Sequence, residues 1–407
     1  MLDVEKIRKD FPVLQNAKMQ GKSLVYLDNG ATTLKPQCVI DAIVNYYSNL
    51  GANAHRGDYD LSLEVDQLFE GVRTKVADLI NCQKEEVVFT SGTTDSLNLV
   101  AYGYGLGHLN EGDEILINYS EHASNTLPWF EVAKKTGSKI KYIDLDEQGK
   151  IILENVKKAV TPNTKLVALA QVSNVLGYEI DLKEIIAFLH SKNIVVVVDG
   201  AQSVPHQKVD VQELDIDFLA FSAHKMCGPT GVGILYGKMS LLEMTNPTRY
   251  GGGSNARYDK ECQIKLKEIP TRFESGTPNI AGVIGFGAAI DYLNSIGFDA
   301  IHKHEIELRK YAISKLKQVD KVIVYNENST GPIAFNIKGV FAQDVASLFN
   351  KEGIAVRNGN HCAKLLHNFL NTNQTLRASL YFYNSVEDID RFVEVCKKGD
   401  EFLDAFF

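Results

Sequence analysis

The 407-residue sequence has no long hydrophobic run, no block of like charges and no closely paired cysteines. Its longest purely aliphatic run, residues 194–198, is far too short to span a bilayer. The formal net charge is −8 and no stripe rich in lysine and arginine stands out, which disfavours nucleic acid as a partner. The six cysteines are irregularly scattered, so we expect free thiols and no disulfide framework.

The composition is that of an ordinary folded protein. Hydrophobic residues make up 44% and charged residues 23%, and the length suits two or three domains. The first twelve residues carry charges where a signal peptide needs an apolar stretch. We therefore expect a cytoplasmic protein that does not associate with membranes.

Short β-rich runs alternate with helical stretches through most of the chain, which predicts βαβ units and a largely parallel sheet. The predicted strands are 87–90, 114–118, 139–144, 165–172, 194–199, 217–223 and 232–236. The predicted helices between them lie around 93–104, 125–136, 152–160 and 182–192. Because the run at 194–198 has no polar alternation, we expect a central strand that is covered on both faces.

The pattern changes towards the C-terminus. A helix rich in small residues and a charged helix at 299–318 are followed by strand-like segments at 322–325 and 332–337. A helix at 342–352, two further strand-like segments and a last helix from 386 complete the chain. We expect a smaller α+β domain that begins near residue 290.

The first candidate site is the segment 91–101, where a strand is followed by Gly92, Thr93, Thr94 and a helix. Backbone N–H groups at such a position suit a phosphate, and the two hydroxyl groups could assist. Serine and threonine are also standard helix caps, so an ordinary cap is the alternative.

The second candidate combines Asp199 and Lys225, each of which follows a predicted strand. A carboxylate at the end of a buried parallel strand lies where open α/β folds bind ligands, and an amine in that crevice can trap a carbonyl group. Taken singly, Asp199 could be a turn acid and Lys225 a solvated surface residue. Together with the phosphate segment they match what pyridoxal phosphate requires: an anchor, a partner for the ring nitrogen and an amine.

The third candidate is Cys362, which lies in a polar loop next to His361 and close in sequence to Arg357 and Lys364. Such surroundings can lower the pKa of a thiol and expose it. A buried structural cysteine and a metal site with His361 and His367 are the alternatives, although no second cysteine pair supplies further ligands.

These residues belong to motifs that resemble, in order and spacing, the group II (SUF-type) cysteine desulfurases. The motifs are EHASN (121–125), VSNVLG (172–177), VDGAQ (198–202), SAHK (222–225), FESGTPN (273–279), RNGNHCA (357–363) and RASLYFYN (377–384). The resemblance implies an α/β protein of the fold type I transferases that depend on pyridoxal 5′-phosphate. It also implies a large domain with a mainly parallel seven-stranded sheet, and a smaller C-terminal α+β domain. The expected division is an N-terminal segment at 1–20 that packs on the small domain, a large cofactor-binding domain at 21–290 and a small domain at 291–407 that carries the Cys362 loop.

Carried over position by position, the resemblance implies how the cofactor is bound. Lys225 would bond it covalently, and Asp199 would hold its pyridine nitrogen protonated. His122 would stack on the ring and assist proton transfers, and Gln202 would bind the phenolic oxygen. The phosphate would be held by Thr93, Thr94, Ser222 and His224 and, across a homodimer interface, by Thr277.

The resemblance also implies the substrate site. Arg377 and Asn174 would bind the substrate carboxylate, Arg377 through a bidentate pair. Arg357, His55 and Arg56 would shape the entrance, with Arg56 at the dimer boundary.

The reaction implied is the conversion of L-cysteine to L-alanine. Lys225 would remove the α-proton, and the Cys362 thiolate would attack the substrate sulfur and keep it as a persulfide. An acceptor protein of the SUF system would then take the sulfur for iron–sulfur cluster assembly. Cys227, two residues after Lys225, is expected to be a packed neighbour without a catalytic role.

Other functions remain open on this fold: selenocysteine lyase, cysteine sulfinate desulfinase, a kynureninase-like hydrolase, or a catalytically silent scaffold or sulfur carrier. Cys362 favours cysteine as substrate, because cleavage of its carbon–sulfur bond needs a thiol nucleophile. Lys225, Asp199 and Arg377 disfavour a scaffold. Asn360 stands where many relatives have histidine, and Gln343 stands where some do. The type of sulfur acceptor therefore remains open.

Overall fold

The computed structural model describes residues 2–55 and 57–399. In this part of the chain, seven strands form the large sheet: β1 (Val87–Thr90), β2 (Glu114–Asn118), β3 (Lys139–Ile143), β4 (Thr164–Ala170), β5 (Val195–Asp199), β6 (Phe218–Ser222) and β7 (Gly233–Gly237). Their order across the sheet is β1-β7-β6-β5-β4-β2-β3. Strands β2 to β6 pair in parallel, whereas β7 is antiparallel to both β6 and β1. The prediction of an α/β fold with a mainly parallel seven-stranded sheet is confirmed.

The antiparallel strand follows from the short connection before it. Only residues 223–232 join β6 to β7, and a parallel crossover needs a dozen or more residues. The chain therefore turns back beside β6. This short connection contains Lys225, which places the amine at the edge where the parallel strands end.

Helices cover both faces of the large sheet. Val196 and Val198 belong to one hydrophobic core, whereas Val197 points into another on the opposite face. The first core is packed by the helices Asp60–Ile80, Leu182–His190 and Ile280–Ile296. The second is packed by Thr93–Leu99 and Leu127–Thr136. The uninterrupted valines of β5 are thus explained by burial on both sides.

A smaller antiparallel sheet lies in the C-terminal part. Within the described residues it consists of β8 (Val322–Val324), β9 (Ile333–Ile337), β10 (Arg357–Gly359) and β11 (Thr375–Ala378), in the order β8-β9-β11-β10. The helices Phe298–Leu316, Ala342–Lys351 and Val386–Lys397 supply side chains to its core. Residue 290 falls inside the Ile280–Ile296 helix, whose Leu293 is still in the core of the large sheet. The division of the chain at that residue stays a prediction.

The N-terminal segment lies against residues from distant parts of the chain. Arg8 forms a 2.9 Å salt bridge with Asp388, and the Phe11 ring packs 4.7 Å from the Tyr383 ring, measured between centroids.

The remaining α-helices are Val4–Arg8, Pro12–Asn16, Gln37–Asn45, Leu106–His108, Leu153–Ala159, Met239–Glu243 and Lys364–Phe369. The remaining strand pairs are Lys18–Met19 with Lys22–Ser23, Val25–Tyr26 with Ile354–Ala355, and Asn255–Tyr258 with Ile264–Leu266.

Two glycines touch where the large sheet meets the small one. The N–H of Gly331 donates to the Gly177 carbonyl over 3.0 Å. A Cβ atom on either glycine would lie 2.7 Å from the Cα of the other, closer than real Cβ atoms come. Gly177 also has a φ of +62°. Both positions therefore require glycine.

No single helix among the described residues is long and apolar enough to cross a membrane; only the pair Ile280–Ile296 and Phe298–Leu316, bent by 73°, meets that test when taken together.

Candidate active site

A cavity of about 450 Å³ opens at the carboxyl ends of the parallel strands, beside the small sheet. Residues from both sheets line it, and twelve of the residues predicted for the site are among them. These are Thr93, Thr94, His122, Asn174, Asp199, Gln202, Ser222, His224, Lys225, Arg357, Cys362 and Arg377. The folding of the chain thus brings together motifs that are far apart in the sequence.

One end of the cavity carries a cluster of hydroxyl groups. The Ser222 Oγ, at the end of β6, accepts the Thr93 N–H over 2.7 Å and lies 2.5 Å from the Thr93 hydroxyl. The Thr94 and Ser124 hydroxyl oxygens are 2.7 Å apart. Gly233 allows this loop to come close, because a Cβ there would lie 2.3 Å from the Cα of Gly92. Clustered hydroxyl groups of this kind suit the oxygens of a phosphate.

Asp199 ends β5 and is buried. Its Oδ1 accepts the Ala201 N–H over 2.9 Å. Burial raises the pKa of Asp199, and the nearby Lys225 opposes that rise. A buried carboxylate with one cationic neighbour is suited to pair with a positively charged ring nitrogen.

Lys225 lies in the short helical turn Ala223–Lys225 after β6. Burial lowers the pKa of its amine to about 8; Asp199 opposes the fall and Arg377 adds to it. Lys35 stabilises this turn, because its Nζ donates to the His224 carbonyl over 3.1 Å. An amine with this pKa is partly neutral near pH 8, and only the neutral amine is a nucleophile or a base.

His122 stays neutral. Its Nδ1 accepts the Ser124 N–H over 3.1 Å, so the ring proton is on Nε2. Burial, with Lys225 and Arg377, lowers the pKa of His122 to about 4. A neutral ring on the cavity wall is free to stack on a flat ligand.

Cys362 lies on the small-sheet side of the cavity, and its side chain is exposed. It and His361 have φ values of +56° and +49°, a left-handed conformation that is uncommon for residues other than glycine. Two hydrogen bonds hold this strained loop against segments that follow strands β2 and β4 of the large sheet. The Ala123 N–H donates to the Cys362 carbonyl over 2.7 Å, and the Asn174 amide donates to the His361 carbonyl over 2.7 Å.

Two arginines complete the wall. Arg377 is 2% exposed and donates to the Asn174 carbonyl over 2.9 Å. Asp28 accepts from Arg377 Nη2 over 3.3 Å and from Arg357 Nε over 3.2 Å. The two guanidinium groups therefore share one carboxylate partner.

Comparison with known proteins identifies the family of this chain. The model of the family described as aminotransferase class-V matches residues 25–392. The chain belongs to the class V aminotransferase family. A probable cysteine desulfurase of Halalkalibacterium halodurans is 46% identical to it over 411 residues, which cover 100% of both chains.

Solved structures agree with this assignment. The cysteine desulfurase CsdA of Escherichia coli is 37% identical, with a TM-score of 0.92 and coverage of 98% of this chain and 99% of that one. The cysteine desulfurase of Thermococcus onnurineus NA1 is 38% identical, with a TM-score of 0.92 and coverage of 98% of each chain.

Membership of the class V aminotransferase family implies pyridoxal 5′-phosphate as the cofactor, and the cavity fits it. A hydroxyl cluster for the phosphate, a buried carboxylate for the ring nitrogen and a lysine of lowered pKa line one space of suitable size. Gln202 lines the same space, and its Nε2 donates to the Gly30 carbonyl over 2.8 Å. Burial, Lys225 and Lys35 lower the pKa of His224 to about 4, so its ring is neutral at physiological pH.

Three of the predicted site residues do not line this cavity. Thr277 lines a neighbouring cavity of about 240 Å³ that shares Ser91, Asp95 and Gly231 with the first. His55 lies at the surface, with its Nε2 3.3 Å from Glu70 Oε1, and the hydrogen bond that the imidazole donates to this carboxylate raises the pKa of His55. Arg56 lies outside the described residues.

Sequence reasoning missed Asp28 and Glu121. Glu121 is buried and accepts N–H groups from Asn125 over 2.8 Å and from Ala170 over 2.9 Å; burial raises its pKa to about 8. It ties the His122 loop to the end of β4. Only their positions in the sequence could have indicated a role in the site: Glu121 precedes His122, and Asp28 follows an apolar run at 24–27.

The metal alternative for the Cys362 loop finds no support in residues 2–55 and 57–399, where no group of three or more histidine, cysteine, aspartate or glutamate side chains is arranged to hold a metal ion. Instead, the His361 Nε2 donates to the Thr375 carbonyl over 3.0 Å, and burial is the main cause that lowers the pKa of His361 to about 3.

Proposed function

We propose that this protein is a cysteine desulfurase that converts L-cysteine to L-alanine and keeps the sulfur as a persulfide on Cys362. The observation that carries the proposal is the exposed Cys362 thiol in the wall of the cavity that also holds Lys225, Asp199 and Arg377. Relatives named cysteine desulfurase or probable cysteine desulfurase, at 41–46% identity, support it.

Residues at the sheet end of the cavity would hold the cofactor. Asp199 would bind the ring nitrogen, His122 would stack on the ring and Gln202 would bind the phenolic oxygen. Thr93, Thr94, Ser222 and His224 would hold the phosphate. Bound pyridoxal phosphate withdraws electrons from the α-carbon of the substrate and makes its proton acidic.

Lys225 moves that proton. Its pKa of about 8 allows the amine to accept a proton and to return it near neutral pH, since a base is most effective when its pKa is close to the working pH. Asp199 and Arg377 act on this pKa in opposite directions, so the balance of charge in the wall sets it.

The substrate carboxylate is bound by the guanidinium of Arg377 and by the amide N–H groups of Asn174. The Arg377 Nε is buried without a hydrogen-bond partner in the described chain, so this donor is free for the substrate. Arg357, which is more exposed than Arg377, shapes the entrance to the cavity together with His55 and Arg56. Cys362 then attacks the substrate sulfur: an S–S bond forms while the carbon–sulfur bond breaks. The carbon keeps the electron pair of the broken bond and takes up a proton, which gives the methyl group of alanine.

The finer context belongs to the same proposal. We assign the protein to the SUF-type group, place it in the cytoplasm and expect an acceptor protein to take the persulfide sulfur for iron–sulfur cluster assembly. A second copy of the chain is expected to cover exposed apolar side chains such as Tyr47 and Leu63, which are 70% and 51% exposed. Thr277 would then reach the phosphate in the other subunit.

The test is alanine release from L-cysteine, with intact mass measured on the unreduced protein. Wild type should release alanine and gain the mass of one sulfur atom, whereas Cys362→Ala should do neither. Cys262→Ala is the matched control, since Cys262 is also exposed and also has a left-handed φ, of +62°. Equal alanine release by wild type and Cys362→Ala would overturn the persulfide assignment.

A further inference from the structure

Asp28 lies between the two arginines of the active-site wall. Its Oδ1 is 3.3 Å from Arg377 Nη2, and its Oδ2 is 3.2 Å from Arg357 Nε. Both arginines line the cavity, whereas Asp28 is not one of its lining residues. Each carboxylate oxygen therefore serves a different guanidinium group.

The backbone fixes this carboxylate in place. Asp28 forms a parallel bridge with Ser379, and the Ser379 N–H donates to the Leu27 carbonyl over 2.7 Å. The Ala31 N–H donates to the Asp28 carbonyl over 3.0 Å. The backbone of Asp28 is thus tied to the end of β11, the strand that carries Arg377, so its carboxylate starts from a fixed point beside the arginine.

The charges explain why a carboxylate is needed there. Arg377 is 2% exposed, and both its burial and the nearby Arg357 disfavour its positive charge, while Asp28 favours it. Two cations and one anion leave a single positive charge, which matches one substrate carboxylate. Without Asp28 the two guanidinium groups would repel each other at the substrate entrance.

The hydrogen bonds leave donors free for the substrate. In the described chain, Arg377 uses one N–H for the Asn174 carbonyl and one for Asp28, and its Nε has no partner. Gly30 packs against the guanidinium plane, where a Cβ would be 3.3 Å from the Arg377 Cζ. The guanidinium is therefore held in one orientation before the substrate arrives.

We propose that Asp28 is a positioning residue for α-carboxylate recognition: it holds Arg377 in the orientation that binds the substrate carboxylate and offsets the charge of the neighbouring Arg357, without touching the substrate. This inference rests on the proposed desulfurase function for its substrate. The recognition of a carboxylate by this wall can nevertheless be measured without desulfuration.

The first test is Asp28→Asn in the holoenzyme, which keeps the shape of the side chain and removes its charge. The KM for L-cysteine should rise about tenfold or more, as expected when a charged hydrogen bond is lost, while kcat changes little. Asp28→Glu should restore part of the loss. Asp41→Asn, at an exposed position on the Gln37–Asn45 helix, is the control for the charge change.

The second test is ligand binding, followed by the absorbance of the bound cofactor. L-Alanine carries the α-carboxylate and cysteamine lacks it. Asp28→Asn should weaken L-alanine binding by the same factor as the KM for cysteine, and leave cysteamine binding unchanged. An equal loss for both ligands, or for neither, would overturn the inference, since a merely structural role would not distinguish them.

The third test asks whether Asp28 acts through the arginine. In an Arg377→Lys background, Asp28→Asn should cost less L-alanine affinity than in wild type; additive losses would contradict the proposal. If wild type releases no alanine from cysteine but Asp28→Asn still weakens L-alanine binding selectively, the proposed function fails and the role of Asp28 stands.

Discussion

The two ends of the active-site cavity are built in different ways. At the sheet end, Asp199 and Ser222 terminate buried parallel strands, and burial shifts the pKa values of Asp199, Lys225 and His122. At the other end, Cys362 is exposed on a loop of left-handed residues, held by two hydrogen bonds. The difference suits the two tasks that the proposed function assigns to these ends: the buried end would tune proton chemistry, and the open end would reach both the substrate and an acceptor.

The largest effect is expected from Lys225→Ala, which removes the amine from the buried end. Alanine release should fall by about a thousandfold or more, because a positioned acid–base group contributes on that order. The rate at which iodoacetamide alkylates Cys362 should change far less than this, because the two ends are built on separate elements and Lys225 acts on Cys362 only through its charge. Lys134→Ala, at an exposed position, is the control.

A change in Cys362 alkylation of the same size as the loss of activity would show that the two ends are coupled, and would break the comparison.

A smaller effect is expected from Gly233→Ala, which strains the buried end without touching a reacting group. The new Cβ would lie 2.3 Å from the Gly92 Cα, so the Thr93 loop must move. We expect the free energy of unfolding to fall by about 1–3 kcal/mol and the affinity for pyridoxal phosphate to fall with it. Thermal unfolding and absorbance titration measure both.

Gly71→Ala is the matched control, since a Cβ at this helical position meets nothing within 4 Å. It should stabilise the fold by about 0.5–1 kcal/mol. Normal cofactor affinity in Gly233→Ala would show that the loop tolerates the shift.

The smallest effect is expected from Cys227→Ser. Cys227 lies two residues after Lys225, but burial raises the pKa of its thiol to about 12, so it is not a nucleophile at neutral pH. Its backbone N–H donates to the Thr33 hydroxyl over 2.7 Å, a bond that serine keeps. Steady-state alanine release should stay close to wild type; a folded but inactive variant would refute this.

The strands of the large sheet were predictable to within about two residues at each end, because buried parallel strands appear as short apolar runs between turn residues. The helix predicted at 93–104 was less regular: its α-helical part ends at Leu99 and a wider turn, Val100–Gly105, follows. There the Asn246 N–H donates to the Gly103 carbonyl, a contact with a distant segment that no local pattern reveals.

The site shows the same limit. Lys225, Asp199 and Cys362 could be predicted because each follows a strand or lies in a loop that is recognisable from the local sequence. Their motifs also resemble a known family. Asp28 could not, since its partner Arg377 is 349 residues away in the chain and only the bridge to Ser379 brings them together. The roles of the site residues stay predictions, although their shared cavity is a property of the fold.

The contact between Gly177 and Gly331 has a consequence for engineering. The two glycines come from the two halves of the molecule, and neither can gain a side chain while the other backbone keeps its place. A chimera that joins the first half of one family member to the second half of another will therefore dock correctly only where the first parent has glycine at position 177 and the second has glycine at position 331. This pair therefore gives a simple rule for choosing the two parents.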